Sequence, residues 1–225
     1  MKYFILVLLL ISTTLAGDSS NQFRVPHCSP IVRNLPIFQM TAYAKTGRAE
    51  LRSTVVLVGP NTWATSAHGI RYGEVKEIII HLPKVRDIKA KVTWYDRDKD
   101  IAVLYGHSNN IRPIDSMSYD LAQHEQVWNI GYPGFGAGLI MSYTGFQVRY
   151  KKDGLLITSA IGFQGMSGGA TVRCVDGRLE LVGIITALIN HRVEVKIYTK
   201  KGVIHTDKTV TNNGITIISP MKFQK

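Results

Sequence analysis

Apolar positions along this chain recur mostly at every second residue. Ile88, Ala90, Val92 and Trp94 alternate with Lys89, Lys91 and Thr93, which predicts a strand with one buried and one wet face. Val193, Val195, Ile197 and Thr199 alternate in the same way with Glu194, Lys196 and Tyr198. Short apolar runs stand at Val55-Val56-Leu57-Val58, Ile78-Ile79-Ile80, Leu155-Leu156-Ile157 and Leu181-Val182-Gly183-Ile184-Ile185. Gly59-Pro60-Asn61 ends the first run as a turn, and Asn212-Asn213-Gly214 reads as a hairpin turn between two later strands. No long stretch carries a clear 3.6-residue period with caps. Many short strands at regular spacing predict an all-β barrel or sandwich.

Residues 106–123 break this pattern: they are polar at His107-Ser108-Asn109-Asn110 and contain Pro113. They read as a connector between two β units, residues 36–105 and 124–225, preceded by an arm over 17–35. There is no internal repeat and no low-complexity tract.

Residues 1–16 are different in kind. Met1-Lys2 is a short basic start, Tyr3 to Ile11 is almost wholly apolar, and Thr14-Leu15-Ala16 offers small residues for cleavage. This predicts a secretory signal peptide and a secreted or periplasmic protein. After it no apolar stretch is long enough for a second membrane span. Export also changes the reading of the two cysteines. Bridged in an oxidising compartment, Cys28 and Cys174 would close a loop of roughly 145 residues, worth about 5 kcal/mol in the loop-entropy model. The alternative is two buried thiols.

The chain has 225 residues, with 27 Lys and Arg against 16 Asp and Glu, a formal charge of +11. Its 45% apolar content excludes a disordered tail. The basic residues cluster at Lys84, Arg86, Lys89 and Lys91 and at Arg149, Lys151 and Lys152. They read either as a solvated strand face or as a source of electrostatic attraction to anionic surfaces. No phosphate loop or nucleic-acid motif accompanies them, so no specific nucleic acid partner is expected. His27, His68, His81, His107, His124, His191 and His205 show neither i, i+4 pairing nor clustering with cysteine, so no metal and no cofactor is expected.

Three segments carry chemistry. In Gly165-Met166-Ser167-Gly168-Gly169 the glycines allow a sharp turn and a close approach of a carbonyl, so that the N–H groups of Gly165 and Ser167 can form an oxyanion hole. In Thr65-Ser66-Ala67-His68 small residues leave room for an imidazole at a strand end, where a general base needs a partner on each nitrogen. In Asp96-Arg97-Asp98-Lys99-Asp100, Asp100 abuts the apolar strand Ile101-Ala102-Val103-Leu104 and is the acid best placed to orient that imidazole. Asp96 and Asp98 are solvated alternatives. The order His68, Asp100, Ser167 is that of chymotrypsin-type triads, not of subtilisins or α/β-hydrolases.

From about Arg52 to Met221 the chain resembles the protease domain of the HtrA family within the trypsin-like, chymotrypsin-fold serine proteases. The likeness rests on Thr62-Trp63-Ala64-Thr65-Ser66-Ala67-His68, Asp100-Ile101-Ala102-Val103-Leu104, Asn129-Ile130-Gly131-Tyr132-Pro133-Gly134, the serine turn, Gly183-Ile184-Ile185-Thr186-Ala187-Leu188 and Gly214-Ile215-Thr216-Ile217-Ile218-Ser219-Pro220. It implies two antiparallel six-stranded β-barrels with the active site in the cleft between them, acting on protein or peptide substrates through an acyl-enzyme. Ile161 stands six residues before the serine, where an acid would select Arg or Lys. With Thr186, Ala187 and Leu188 it implies an apolar pocket for small or medium aliphatic residues. Met166 replaces the acid that precedes the nucleophile in chymotrypsin-type zymogens, and there is no Ile-Val-Gly-Gly start, so activation by N-terminal insertion is not expected. No PDZ module is expected before the chain ends at Lys225. The alternative is a catalytically silent relative serving as a binding module; the presence of all three triad residues favours the enzyme.

Overall fold

The computed structural model describes Cys28 and residues 35–46, 50–83, 86–114, 117–118, 121–134, 138–141, 145–150, 155–188, 191–199, 202–210 and 216–219. The expected signal peptide, most of the N-terminal arm, Lys84, Lys151, Lys152 and the turn at Asn212-Asn213-Gly214 lie outside these residues. The described chain is almost all strand. Strands β1 (Ile37–Ala44), β2 (Glu50–Gly59), β3 (Thr62–Ser66), β4 (Val75–His81), β5 (Ile88–Asp96) and β6 (Ile101–Tyr105) form a closed barrel in the order β1-β2-β3-β6-β5-β4. Between β3 and β4 lies a kinked 3-10 segment, His68–Gly73, interrupted at Ile70, Arg71 and Tyr72 by non-helical backbone.

A second sheet contains β7 (Gln126–Gly131), β8 (Ile140–Met141), β9 (Gly145–Tyr150), β10 (Leu156–Thr158), β11 (Ala170–Val175), β12 (Arg178–Leu188) and, at the C-terminal end, β15 (Thr216–Ser219). Its order is β11-β12-β15-β10-β9-β7-β8, with β11 also pairing with β7. The alternating segment at 193–199 forms β13 (His191–Thr199), which pairs with β14 (Gly202–Val210) in a separate two-stranded sheet.

The apolar run at 55–58 is continuous because both its faces are covered. Val55 and Leu57 point into the barrel with Met40, Trp63, Ile80 and Leu104. Val56 and Val58 point outward and pack with Ile37, Ala64 and Ile101 against Trp128, Ile130, Val172, Leu181 and Ile184 of the second sheet. A third cluster, with Leu121, Val127, Leu156, Met166, Val182 and Ile185, fills the second sheet's own interior. The connector reaches both halves: Ile114 donates its N–H to Leu57 and Ser118 donates to Leu181.

One expectation needs correction. Trp94 does not share the buried face of Ile88 and Ala90; it is 50% exposed. The pairing of β5 with β6 shifts register between Val92 and Trp94, and this bulge reverses the inward–outward parity beyond it. The Thr93 hydroxyl donates to Val103 at the bulge.

Cys28 and Cys174 form a disulfide with Cα atoms 6.0 Å apart. Cys28 is buried in the core shared by the barrel and the second sheet. The bridge therefore anchors a point in the N-terminal arm to β11.

Candidate active site

Register alone brings His68 and Asp100 together. Thr65 pairs with Ala102 and Ser66 with Ile101, so the end of β3 lies beside the start of β6. His68 follows β3 by two residues and Asp100 immediately precedes β6. Ala67 donates its N–H to the Asp100 carbonyl at 3.0 Å. The Asp100 carboxylate then grips His68 twice: Oδ1 accepts the His68 backbone N–H at 2.8 Å and Oδ2 lies 2.6 Å from Nδ1. The carboxylate side chain is 21% exposed and the imidazole 41%, so the acid is the more sheltered partner.

Asp96 does different work. Asp96 Oδ1 accepts the N–H groups of Asp98 and Lys99 at 2.9 Å each, closing the turn that leads to Asp100. Asp100 itself has φ +52°, a left-handed conformation that aspartate tolerates better than most residues. The Arg97 guanidinium lies 5.5 Å from the Tyr72 ring centre and 5.9 Å from that of Tyr95. It thus ties the acid turn to the far end of the histidine turn.

Ser167 is half-buried in the turn before β11. The four peptide groups around it are each held by hydrogen bonds. The Gln164 carbonyl accepts from Gly134 N–H at 2.7 Å, the Gly165 carbonyl from the Thr54 hydroxyl at 3.1 Å, and the Met166 carbonyl from Gly169 N–H at 2.8 Å. The Ser167 carbonyl accepts from Thr54 N–H at 2.8 Å, while Gly168 N–H donates to Ile185 at 2.7 Å. A trans peptide directs its N–H away from its carbonyl. Tying down the Gln164 and Met166 carbonyls therefore aims the Gly165 and Ser167 N–H groups the opposite way.

Two glycines of this turn are required by space as well as by φ. Gly165 has φ +94°, and a Cβ there would lie 2.3 Å from Gly134 N. Gly168 has φ +84°, and a Cβ there would lie 2.1 Å from the Thr54 carbonyl, 2.2 Å from Thr65 Oγ1 and 3.0 Å from Ser66 N. The serine turn is thus pressed against the strand that leads into His68. Met166 is fully buried in the second sheet's core, a site where an unpaired carboxylate would be costly.

The expected pocket residues lie on two elements. Ile161 is half-buried on the segment after β10, and its carbonyl accepts from Asn129 Nδ2 at 3.3 Å. Thr186 is buried in β12 at the register shift between Ile185 and Ala187, and Ala187 is half-buried. The Leu188 backbone pairs with Thr216. Ala160, next to Ile161, packs in the same cluster as Ile185. A shallow depression of about 440 Å³ is lined by Gly73, Val92, Thr93, Trp94 and Tyr95, none of them an expected pocket residue.

Two residues that sequence reasoning passes over stand out. Thr54 bridges the barrel to the serine turn through the bonds above. Asn129, fully buried, donates Nδ2 to Ala160 at 3.0 Å and accepts the Thr171 hydroxyl on Oδ1 at 2.6 Å. The available signal was a lone amide inside the apolar strand Val127-Trp128-Asn129-Ile130, since a buried amide must find partners.

Two groups near the core have displaced pKa values. Burial raises the Tyr132 phenol above its ordinary 10.0. Burial lowers the Arg173 guanidinium, but hydrogen bonds to Glu180 and Glu125, each at 2.9 Å, outweigh it and leave the pKa raised. Arg86 and Lys91 are exposed, and Lys89 pairs with Glu77 at 2.6 Å. Among the described residues no group of three or more His, Cys, Asp or Glu side chains could hold a metal ion, and no helix is long and apolar enough to cross a membrane.

This barrel-and-sheet arrangement is the fold of known serine proteases. The chain superposes on a serine endoprotease from Yersinia pestis with a TM-score of 0.64 at 21% identity, covering 85% of this chain and 61% of that one. It superposes on the HtrA-type protease AlgW with tripeptide with a TM-score of 0.63 at 20% identity, covering 86% and 59%. The active form of the Rv3671c protease from M. tuberculosis gives 0.63 at 16% identity, covering 84% and 78%. This chain therefore spans about three fifths of the length of the first two. Residues 53–184 match the trypsin-like peptidase domain, and the chain belongs to that family. No curated protein matches it significantly.

Proposed function

We propose that the chain is an exported serine endopeptidase with Ser167 as nucleophile, His68 as general base and acid, and Asp100 as the group that orients the imidazole. The observation that carries this reading is the His68–Asp100 pair, at 2.6 Å, on the strand end against which the serine turn is pressed. Ser167 Oγ attacks the scissile carbonyl carbon as its proton passes to His68 Nε2. The carbonyl oxygen becomes an oxyanion facing the N–H groups of Gly165 and Ser167, each donor worth about 3–4 kcal/mol in such sites. The C–N bond then breaks, the leaving amine takes the proton from the imidazolium, and an acyl-enzyme remains. Water reverses these steps and releases the acid.

We read the second sheet as the second barrel and the active site as lying between the two. Pairing of β7 with both β9 and β11 supports closure. Ile161, where an acid would select basic residues, supports cleavage after small or medium aliphatic residues, with Thr186, Ala187 and Leu188 completing the pocket. The disulfide supports export.

A serine-directed fluorophosphonate should label the folded wild type and not Ser167→Ala, and that variant should lose about six decades of turnover on an unfolded protein. Equal cleavage by both would overturn the assignment. A folded wild type that neither labels nor cleaves would favour a binding module.

A further inference from the structure

Thr54 lies on the barrel, yet its N–H and hydroxyl serve the other half of the molecule. The residue is fully buried. Its N–H donates to the Ser167 carbonyl at 2.8 Å. Its hydroxyl accepts the Tyr132 N–H at 2.9 Å and lies 3.1 Å from the Gly165 carbonyl. A peptide N–H can only donate, so the hydroxyl's single proton is left for Gly165. The Thr54 carbonyl accepts the Thr65 hydroxyl at 2.7 Å, which fixes the residue from behind.

One side chain therefore joins two separate loops of the second sheet. The first contains Tyr132 and Gly134, and the second contains Gly165 and Ser167. These loops also meet each other through Gly134 N–H and the Gln164 carbonyl. The hydroxyl closes that contact from the barrel side. Apolar packing can press these surfaces together but leaves the rotation of a peptide plane free, whereas a hydrogen bond to its carbonyl fixes it.

From this geometry we infer that Thr54 is a positioning residue: its hydroxyl holds the turn from 164 to 168 in the one conformation that aims the Gly165 and Ser167 N–H groups. It acts through the Gly165 carbonyl and touches no reacting atom. Its catalytic consequence rests on the reading of Ser167 as nucleophile; the conformational part does not.

The test compares Thr54→Val, which keeps the shape and removes the hydroxyl, with Thr54→Ser, which keeps the hydroxyl. Thr54→Val should lower kcat about 10- to 100-fold with KM within about threefold, since small misplacements at a reacting centre cost up to about two decades. Thr54→Ser should stay within about threefold of wild type in both. Fluorophosphonate labelling should slow in Thr54→Val alone. Amide exchange and 15N shifts of Gly165 to Gly168 should change in Thr54→Val and not in Thr54→Ser, whether or not the wild type cleaves anything. If Thr54→Val does not fold, Thr54→Ala takes its place with the same expected split.

A folded hydroxyl-free variant with wild-type kcat and unchanged 165–168 amides would overturn the inference. So would a Thr54→Ser variant as impaired as Thr54→Val. An inactive, unlabelled wild type whose 165–168 amides still respond to loss of the hydroxyl would refute the peptidase reading and leave the conformational role standing.

Discussion

Asp100 holds His68 through both the main chain and the ring, with one carboxylate oxygen on each. The two contacts separate placement from chemistry. In Asp100→Asn the amide oxygen can still accept the His68 backbone N–H, so the turn keeps its place. The amide NH2 then faces Nδ1, which forces the proton to the other ring nitrogen. On the proposed triad, Asp100→Asn should lower kcat/KM by about four decades, with little change in melting temperature. Steady-state kinetics beside thermal unfolding checks both halves of the expectation.

Gly168 and Gly177 share a left-handed backbone but not surroundings. A Cβ at Gly168 would overlap the Thr54 carbonyl and Thr65 Oγ1, whereas Gly177, at φ +75°, has nothing within 4 Å. Gly177→Ala should therefore cost only the conformational term, about 1–2 kcal/mol. Gly168→Ala should cost about 1–3 kcal/mol more, from forced displacement of barrel atoms. Urea unfolding of the two variants measures that difference.

Asn129 fixes the backbone on which Ile161 stands. Asn129→Leu would remove the amide shared by the Ala160 and Ile161 carbonyls and the buried Thr171 hydroxyl. A loss of about 1–3 kcal/mol is expected, the cost of leaving the buried Thr171 hydroxyl without its acceptor. On the proposed pocket, KM for peptides with an aliphatic residue before the scissile bond should rise more than kcat falls. An unchanged KM in a folded variant would count against that pocket.

Tyr132 sets an alkaline limit. Burial raises its phenol pKa, so above pH 10 the unfolded chain loses a proton that the folded chain keeps. The contribution is constant below about pH 10 and is lost as pH rises through the folded phenol's pKa. Tyr132→Phe keeps the N–H to Thr54 and removes the titration. The urea midpoints of wild type and variant should run parallel up to about pH 9 and diverge above it, with wild type falling faster.

Much of this arrangement is readable before folding. Runs such as 55–58 announce strands, and Asp100 is singled out by the apolar strand it precedes. What stays hidden depends on partners distant in the chain. Thr54 meets Gly165 across 111 residues, and in sequence it is merely a polar residue before an apolar run. The glycines of the serine turn read as room for a sharp turn and an approaching carbonyl, while packing adds a second constraint, the strand pressed against them. The alternation over 88–94 misplaces Trp94 because a bulge changes parity without changing composition. Strand β13 shows the same period as strands of the main sheet, and alternation does not say which neighbour a strand will choose.

The core shared between barrel and second sheet has a thermodynamic consequence. Val56, Val58 and Ile101 from one side and Trp128, Ile130 and Leu181 from the other are buried only while both halves are assembled. Neither half can melt without wetting the other's apolar face, so heating should produce one cooperative transition. The barrel and the second sheet, cut apart after β6, would each be sticky and poorly folded alone. The imidazole and the serine hydroxyl, though carried by different halves, therefore share a single denaturation event.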